Sequence, residues 1–335
     1  MAMNCPSLHH GGQLRQAARQ YGIPLADWLD LSTGIAPWSL PLPEIPPRVW
    51  NRLPETEDGL EQAARHYYGC SSLAVLPGSQ AAIQLLPRLR PPGRTGILSP
   101  CYAEHALRWQ QAGHQVIPLA PDSLENGLPD GLDVLVVVNP NNPTGRQQLP
   151  RQLLDWHQEL ARRGGWLVVD EAFIDCTPQL SLASATPQPG LIVLRSPGKF
   201  FGLAGARLGF MLAEPALCQT LEQALGPWPV SGPSRWLARQ LLEDRPGQQR
   251  QRQRLQQASQ RLARLLQQHG LPPRGGTALF QWRPEPAAAP LCDWLARQAI
   301  LVRPFDNPPA LRLGLPADAR GWARLEQALS GWPSP

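Results

Sequence analysis

The chain has 335 residues, of which 42% are hydrophobic and 17% are charged, and its formal net charge at pH 7 is +5. This length is enough for one large domain and one smaller domain, and the composition is typical of a globular protein. No apolar run approaches the length of a membrane-spanning helix.

Short apolar segments alternate with amphipathic segments through the middle of the chain, after one helix predicted at residues 13–21. The apolar segments predict seven strands, at residues 73–76, 96–98, 115–119, 134–138, 167–169, 191–194 and 208–212. Helical patterns lie between several of them, at residues 80–89, 105–112 and 151–163. This alternation predicts an α/β fold, with a mostly parallel seven-stranded sheet covered by helices on both faces.

The pattern changes after residue 225, where the sequence Gly-Pro-Trp-Pro interrupts the chain. Long helical patterns continue to residue 270, strand patterns follow at residues 278–282, 300–302 and 310–313, and a last helix is predicted from Asp318. We therefore expect a large domain at residues 36–225 and a smaller α+β domain at residues 226–335. Residues 1–35 are expected to pack on the smaller domain and to close the active site.

Arginine alternates with glutamine in residues 245–264, within one of the long helical patterns. Apolar residues at three- and four-residue spacing in residues 248–269 predict one amphipathic helix with a basic face exposed to solvent. A nucleic-acid-binding surface is the alternative, and it would give a steeply salt-dependent affinity. The segment has neither interleaved aromatic residues nor a base-reading motif, so we expect no nucleic-acid partner.

The cysteines are far apart in the sequence and form no Cys-x-x-Cys pair; they are Cys5, Cys70, Cys101, Cys176, Cys218 and Cys292. This spacing indicates reduced thiols rather than a disulfide framework or a metal site. The amino terminus has neither the basic start nor the apolar run of a secretory signal. We therefore expect a cytoplasmic protein with no bound metal and no membrane partner.

Lys199 is the only lysine among the 31 basic side chains of the sequence. A lysine can lose its proton and form a Schiff base with an aldehyde, whereas arginine stays charged at ordinary pH. A coding bias that replaces lysine by arginine would also leave a single lysine, but the residues around Lys199 favour a chemical role.

Three consecutive predicted strands end in an amide, a carboxylate and an amine. Residues 134–138 are followed by Asn-Pro-Asn-Asn-Pro-Thr-Gly, residues 167–169 by Asp-Glu-Ala-Phe from Asp170, and residues 191–194 by Arg-Ser-Pro-Gly-Lys ending at Lys199. Alone, the first motif is explained by a turn and Asp170 by a helix cap. Together, at the carboxyl ends of parallel strands, they supply what pyridoxal 5'-phosphate requires: an amine for the aldehyde, a carboxylate for the pyridine nitrogen and an amide for the phenolic oxygen.

These motifs resemble those of the fold-type-I aminotransferase superfamily of pyridoxal-phosphate enzymes, and the resemblance is collinear over nearly the whole chain. The families they resemble are the histidinol-phosphate aminotransferases and the threonine-phosphate decarboxylases. The resemblance implies that Lys199 is the Schiff-base lysine and that Asp170 is the partner of the pyridine nitrogen. It also implies that Asn142 contacts the phenolic oxygen and the substrate, and that Ser196 and Arg207 bind the cofactor phosphate.

Further positions match the same families. Gly78, Ser79 and Gln80 open a predicted helix and match the phosphate-binding loop, where backbone amides favour an anion. Tyr102 matches the aromatic residue that stacks on the cofactor ring, and Arg312 matches the arginine that binds the substrate carboxylate with two parallel hydrogen bonds. Without the other motifs, the loop would be an ordinary turn, Tyr102 a packing residue and Arg312 a surface arginine.

Two positions depart from the pattern of many relatives. Phe173 stands where many have a tyrosine that donates a hydrogen bond to the phenolic oxygen. Leu53 stands where many have a tyrosine that reaches the cofactor phosphate of the partner subunit. We expect both departures to alter cofactor affinity or electronics without removing an essential group. The resemblance also implies a homodimer.

The catalytic residues fit an aminotransferase and a decarboxylase equally well, because the cofactor assists both reactions. The amino terminus, in contrast, resembles that of the threonine-phosphate decarboxylases, whose chains begin with a histidine-Gly-Gly motif. This resemblance implies that His10 binds the substrate phosphate and that backbone groups of Thr33, Gly34 and Ile35 bind the substrate carboxylate. Arg303 is expected to add a second cation for a phosphorylated amino acid.

We therefore expect decarboxylation of L-threonine O-3-phosphate to (R)-1-amino-2-propanol O-2-phosphate, a step of cobalamin biosynthesis. The alternative is an aminotransferase that acts on histidinol phosphate or a related amino compound. A non-catalytic sensor that keeps this fold for binding alone is disfavoured, since the chain has no room for a DNA-binding module before its first motif.

Overall fold

The computed structural model describes residues 10–124 and 127–333 of the chain. Within them, the helices in chain order are α1 (Leu14–Tyr21), α2 (Pro47–Asn51), α3 (Leu60–Tyr68), α4 (Ser79–Leu85), α5 (Glu104–Gln111), α6 (Pro150–Ala161), α7 (Pro197–Phe200), α8 (Pro215–Leu225), α9 (Gly232–Glu243), α10 (Arg245–Gln268), α11 (Ala288–Arg297) and α12 (Ala319–Ser330). The strands are β1 (Leu29–Asp30), β2 (Ala74–Leu76), β3 (Arg94–Leu98), β4 (Gln115–Leu119), β5 (Val134–Val138), β6 (Trp166–Asp170), β7 (Leu191–Arg195), β8 (Gly209–Leu212), β9 (Gly275–Thr277), β10 (Phe280–Pro284), β11 (Ile300–Leu301), β12 (Arg303–Asp306) and β13 (Pro309–Gly314).

The chain divides into two compact units. The large unit is Trp38–Arg254, and the small unit combines Met1–Pro37 with Leu255–Pro335. The boundary between Arg254 and Leu255 falls inside helix α10, whereas the sequence predicts domain boundaries after residues 35 and 225. Among the helices that the structure describes, none combines the length and the apolar composition that a membrane span requires.

A seven-stranded sheet forms the centre of the large unit, in the order β2-β8-β7-β6-β5-β3-β4. Strand β8 runs antiparallel to its neighbours β2 and β7, and all other neighbouring strands are parallel. Every residue of β5 is buried, as expected for a strand covered on both faces. The predicted α/β fold with a mostly parallel seven-stranded sheet is confirmed.

Alternate residues of the central strands pack with helices α4, α5 and α8 in one hydrophobic core. Its members include Val134, Val136, Val168, Ile192, Leu194, Met211, Ile83, Trp109 and Leu221. Burial of an apolar side chain of this size contributes about 1.5–3 kcal/mol. The core therefore fixes the strands firmly, and with them the residues at their carboxyl ends.

The register of the three central strands places their carboxyl ends side by side. Val138 of β5 pairs with Asp170 of β6, and Asp170 pairs with Leu194 of β7. The backbone continues this alignment beyond the strands, since the Asn139 N–H donates to the Asp170 carbonyl and the Glu171 N–H donates to the Leu194 carbonyl, both at 2.9 Å. The segments that follow these strands therefore start from one edge of the sheet.

The small unit contains an antiparallel sheet, in the order β12-β13-β10-β9, and a parallel pair formed by β1 and β11. Helix α1 and the region of α11 share a core that includes Ala17, Trp28, Ala296 and Ala299. Helix α12 begins after Asp318, whose carboxylate accepts the Gly321 N–H at 2.8 Å. This cap confirms the helix start predicted at Asp318.

The cysteines that the structure describes are free thiols, namely Cys70, Cys101, Cys176, Cys218 and Cys292. Cys5 lies outside the described residues. Burial raises the pKa of the Cys101 and Cys176 thiols to about 12, so both stay protonated at neutral pH. These thiols behave as small apolar side chains.

Candidate active site

Asp170 ends strand β6 and is buried, with only 3% of the residue exposed. Its Oδ2 lies 3.0 Å from His105 Nε2, and its Oδ1 accepts the Ala172 N–H at 3.1 Å. Burial alone would raise the pKa of Asp170, but the bond and charge of His105, the charge of Lys199 and the Ala172 amide hold that pKa below its usual value. The site therefore contains a buried carboxylate that is ionised at neutral pH.

His105 is a functional candidate that the sequence analysis missed. It lies in the first turn of α5 and is 1% exposed. Because a carboxylate can only accept, the ring must donate from Nε2 to Asp170. The clue in the sequence is spacing, since His105 follows Tyr102 by one helical turn and its N–H donates to the Tyr102 carbonyl at 3.2 Å.

Lys199 is carried by the one-turn helix α7, directly after strand β7. Its Nζ lies 5.1 Å from the centre of the Phe173 ring. Phe173 is buried and follows Asp170 by three residues, and the Lys199 charge is one of the influences that lower the Asp170 pKa. The predicted amine therefore lies near enough to the predicted carboxylate for its charge to act on it.

The predicted phosphate-binding residues also meet in the large unit. Ser196 Oγ donates to Ser79 Oγ at 2.6 Å. Gly78 has a φ of 80°, and a Cβ at Gly78 would lie 2.7 Å from Arg207 Nη2, so the guanidinium occupies the space of a side chain. Arg207 itself adopts the left-handed conformation, with a φ of 50°. Two hydroxyls and a guanidinium around a glycine form a set of donors that suits a phosphate group.

Asn142 lies in the loop between β5 and α6, and this loop is held by its own side chains. The Asn139 side chain accepts the Gln148 N–H at 2.8 Å and donates to the Gln148 carbonyl at 3.2 Å. The Gly145 N–H donates to the Asn141 carbonyl at 2.7 Å. Since Asn139 is also bonded to the Asp170 backbone, the loop is anchored to strand β6.

Tyr102 follows strand β3 and is bonded to the predicted phosphate loop. Its hydroxyl donates to Gln80 Oε1 at 3.2 Å, and Gln80 Nε2 donates to Glu104 Oε2 at 2.8 Å. Burial, Glu104 and Asp170 raise the pKa of Tyr102 to about 12, so its hydroxyl is neutral at ordinary pH. The Gln80 side chain therefore orients Tyr102, a role that the sequence analysis does not predict.

A buried ion network lies beside the site and was also missed. Arg195 Nη1 donates to Glu171 Oε2 at 2.8 Å, and Arg195 Nη2 donates to Asp175 Oδ1 at 2.5 Å. Burial alone would lower the pKa of Arg195, but Asp175 and Glu171 raise it above its usual value. The network joins the segment after Asp170 to the end of β7, one residue before Ser196.

Arg312 belongs to the small unit, where it is 6% exposed. Its cross-strand neighbours are Trp282 on β10 and Arg303 on β12. Arg312 Nη2 donates to the Ser32 carbonyl at 2.8 Å. Burial and the Arg303 charge lower the pKa of Arg312 to about 10, which still leaves it charged at neutral pH. The surface-arginine alternative is therefore wrong, and two cations lie side by side on this sheet.

The amino-terminal segment of the small unit runs along residues 32–33. The Gly12 N–H donates to Ser32 Oγ at 2.7 Å, and a Cβ at Gly11 would lie 2.4 Å from the Ser32 carbonyl oxygen. A Cβ at Gly314 would lie 2.4 Å from the Thr33 carbonyl oxygen. Glycine is needed at these positions because backbone passes directly over them. The chain next to His10 is therefore close to Thr33, and Thr33 is close to the end of the strand that carries Arg312.

The comparison with known proteins decides the family. The sequence pattern of the family described as aminotransferase class I and II matches residues 48–328. The chain belongs to this family.

Within residues 10–124 and 127–333, no group of three or more His, Cys, Asp or Glu side chains could hold a metal ion.

Several relatives of this family are similar to the chain over much of its length. Threonine-phosphate decarboxylase of Pseudomonas aeruginosa is 62% identical over 328 residues, which are 98% of this chain and 99% of that protein. Threonine-phosphate decarboxylase of Sinorhizobium sp is 44% identical over 98% of this chain and 99% of that protein. Histidinol-phosphate aminotransferase of Cronobacter sakazakii is 34% identical over 68% of this chain and 66% of that protein.

Solved structures of the family share the fold. Histidinol-phosphate aminotransferase from Sinorhizobium meliloti, in complex with pyridoxal-5'-phosphate, matches with a TM-score of 0.79 at 20% identity and covers 98% of each chain. L-threonine-O-3-phosphate decarboxylase from Porphyromonas gingivalis matches with a TM-score of 0.74 at 18% identity, covering 90% of this chain and 98% of that one. At these identities the likeness establishes the fold alone.

Proposed function

We propose that the chain decarboxylates L-threonine O-3-phosphate to (R)-1-amino-2-propanol O-2-phosphate, with pyridoxal 5'-phosphate as its cofactor, as a step of cobalamin biosynthesis. The observation that carries the proposal is the 62% identity to a threonine-phosphate decarboxylase over 98% of the chain. The histidinol-phosphate aminotransferase of Cronobacter sakazakii is aligned over 68% of the chain at 34% identity. The contrast in both identity and length favours the decarboxylase.

The residues of the large unit fit this cofactor. Ser79, Ser196 and Arg207 would hold the phosphate, since they provide hydroxyl and guanidinium donors around a glycine with positive φ. Tyr102 would lie against the ring, and Asn142 would contact the phenolic oxygen. The fit rests on the donor set and on the close approach of Arg207 to Gly78, where a Cβ would lie 2.7 Å from Nη2.

The cofactor, when bound, supplies an electron sink for the charge that develops at the substrate α-carbon. Asp170 would hold a proton on the ring nitrogen, and its lowered pKa keeps it ionised for this purpose. His105 stabilises that charge through a buried hydrogen bond. Lys199 Nζ would hold the aldehyde carbon until the substrate amine displaces it. The bond between the α-carbon and the carboxylate would then break, carbon dioxide would leave, and the electron pair would stay at the α-carbon. The displaced Lys199 amine would supply the proton that this carbon takes up.

For the substrate, we propose that Arg312 binds the carboxylate, with Thr33, Gly34 and Ile35 providing backbone contacts. Arg312 is buried and charged, so it favours an anionic partner strongly. Arg303, its cross-strand neighbour, would bind the substrate phosphate. His10 would add a further contact to that phosphate, as the resemblance of the amino-terminal motif implies. A substrate with two anionic groups suits this pair of arginines.

One experiment separates the decarboxylase from an aminotransferase. The purified chain is mixed with pyridoxal 5'-phosphate and L-threonine O-3-phosphate, without any 2-oxo acid, and carbon dioxide is measured. We expect continuous gas release and formation of the amino-propanol phosphate. Strict dependence on an added 2-oxo acid, or turnover of histidinol phosphate instead, would reject the proposal in favour of the aminotransferase.

We further propose that the chain acts as a homodimer in the cytoplasm. Trp50, Leu53 and Trp228 of the large unit are 64%, 63% and 56% exposed, and large exposed apolar side chains favour an interface. The free thiols among the described cysteines suit a reducing compartment. Sedimentation of the loaded protein tests the dimer: a mass of one chain at micromolar concentration would contradict it.

A further inference from the structure

Gln251 lies in the arginine- and glutamine-rich helix α10, yet its side chain is almost fully buried, at 2% exposure. Its Nε2 donates to the Phe200 carbonyl at 2.8 Å and to the Trp38 carbonyl at 3.4 Å. Its Oε1 accepts the Trp38 Nε1–H at 3.0 Å. Because both carbonyls need a donor and the indole needs an acceptor, the orientation of the amide is fixed.

The Phe200 carbonyl belongs to helix α7, the single turn that carries Lys199. Carbonyls in the last turn of a helix have no partner within that helix and need one from outside. Gln251 supplies this partner directly after Lys199. On the other side, the Lys199 N–H donates to the Ser196 carbonyl at 3.2 Å, and Ser196 is bonded to the phosphate loop. The turn is thus held at both ends.

The residue after Gln251 strengthens the same contact. The Arg252 guanidinium lies 5.5 Å from the centre of the Phe200 ring, and its Nε donates to the Asp175 carbonyl at 2.8 Å. The Asp175 carboxylate in turn accepts a hydrogen bond from the guanidinium of Arg195, which lies at the end of β7. Two neighbouring residues of α10 therefore hold both the Lys199 turn and the segment that follows Asp170.

We propose that Gln251 is a positioning residue that sets the location of Lys199 Nζ. The inference rests on the proposed function, in which this amine binds the cofactor. Without the Gln251 N–H, the buried Phe200 carbonyl must turn toward another donor, and the short helix must rotate with it. A displacement of this kind, on the order of 1 Å, lowers the rate of a positioned reaction by up to about 100-fold.

The test compares Gln251→Met with Gln248→Met. Gln248 is a matched control, since it is 4% exposed on the same helix and its Nε2 donates to the Leu241 and Leu242 carbonyls at 2.8 and 3.1 Å. Both variants lose buried amide bonds to carbonyls, but only Gln251 contacts the Lys199 turn. Gln251→Glu is a second variant, which keeps the acceptor for Trp38 and loses the donor to Phe200.

The single lysine of the chain provides a readout that does not depend on activity. Reductive methylation with carbon-13 of the cofactor-free full chain labels Lys199 and the terminal amine. The Phe173 ring, 5.1 Å from Nζ, shifts the Lys199 resonance by its ring current. We expect this resonance to move toward the free-lysine position in Gln251→Met and Gln251→Glu, and to stay in place in Gln248→Met.

Kinetics of the loaded protein provide the second readout. We expect kcat of both Gln251 variants to fall about 10- to 100-fold with KM changed less than threefold, because the amine is displaced while substrate contacts remain. An unmoved Lys199 resonance in both Gln251 variants, or an equal movement in Gln248→Met, would overturn the inference. If the wild-type chain releases no carbon dioxide, the proposed function fails, whereas the resonances still decide whether Gln251 holds Lys199.

Discussion

Replacing His105 by leucine tests whether a buried partner keeps Asp170 ionised. The change removes the 3.0 Å bond from Nε2 to Oδ2 and leaves the bond from the Ala172 N–H in place. A hydrogen bond to a charged group contributes about 1.5–3 kcal/mol. If the Asp170 charge is needed in the transition state, the same free energy is lost there. At 1.36 kcal/mol for each factor of ten, kcat/KM should fall by about 10- to 150-fold.

The pH dependence of kcat/KM gives a sharper test of the same idea. The folded-state pKa of Asp170 is lowered, so the contribution of its charge is present above the unfolded pKa and is lost as the pH falls through the folded pKa. Burial raises the pKa of Asp170, whereas His105, Lys199 and the Ala172 amide lower it. Without His105, only the last two oppose the effect of burial. The acid limb of the profile should therefore move to higher pH in His105→Leu. His105→Gln, which keeps an N–H donor, should show a smaller shift.

His114→Leu is the matched control for this measurement. His114 is also buried, but its Nε2 is bonded to the Pro87 carbonyl at 2.8 Å and not to a carboxylate. We expect this variant to lose stability while its acid limb stays in the wild-type position. The assay is carbon dioxide release from L-threonine O-3-phosphate at saturating cofactor. Coincident acid limbs in His105→Leu and wild type, with kcat/KM within twofold, would refute the assigned role of His105.

Further predictions concern the substrate, the phosphate loop and the buried ion network. Arg312→Ala should weaken transition-state binding by about 2–5 kcal/mol, because a buried charge partner is lost. This lowers kcat/KM by about 30- to 5,000-fold, mainly through KM; an unchanged KM would reject the carboxylate assignment. Gly78→Ala should weaken cofactor binding, measured by absorbance titration, because its Cβ would meet Arg207 Nη2 at 2.7 Å. Gly164 also has a positive φ, but an added Cβ would meet open space there. Gly164→Ala should therefore lower the stability of the fold without weakening cofactor binding. Arg195→Met should destabilise the fold by about 3–5 kcal/mol in chemical denaturation, since two buried carboxylates lose their guanidinium; a loss below 1 kcal/mol would contradict that.

The strands were predictable because their local pattern and their tertiary environment agree. The residues of β5 are apolar without interruption, and burial on both faces requires this. The approach of Lys199 to Asp170 was predictable for a related reason, since the carboxyl ends of neighbouring parallel strands share one edge. The chemical motifs at those ends were recognisable by residue type.

Buried polar residues were not predictable in the same way. Gln248 and Gln251 lie in a segment whose composition indicates solvent, and only tertiary contacts with backbone carbonyls explain their burial. His105 lacks a motif of its own because its role depends on one carboxylate that is 65 residues away. The sequence alone is also consistent with an exposed Arg312. Its burial depends on the pairing of its strand, β13, with β10 on one side and β12 on the other.

The proposed function depends most directly on Lys199 as the amine that binds pyridoxal 5'-phosphate. Borohydride reduction of the loaded protein, followed by peptide mass spectrometry, locates the attachment site. Since Lys199 is the only lysine, the terminal amine is the sole competing primary amine. We predict one phosphopyridoxyl group per chain, on Lys199, and no fixed cofactor in Lys199→Ala. A label on the terminal amine, or cofactor fixed equally in the variant, would contradict the role of Lys199.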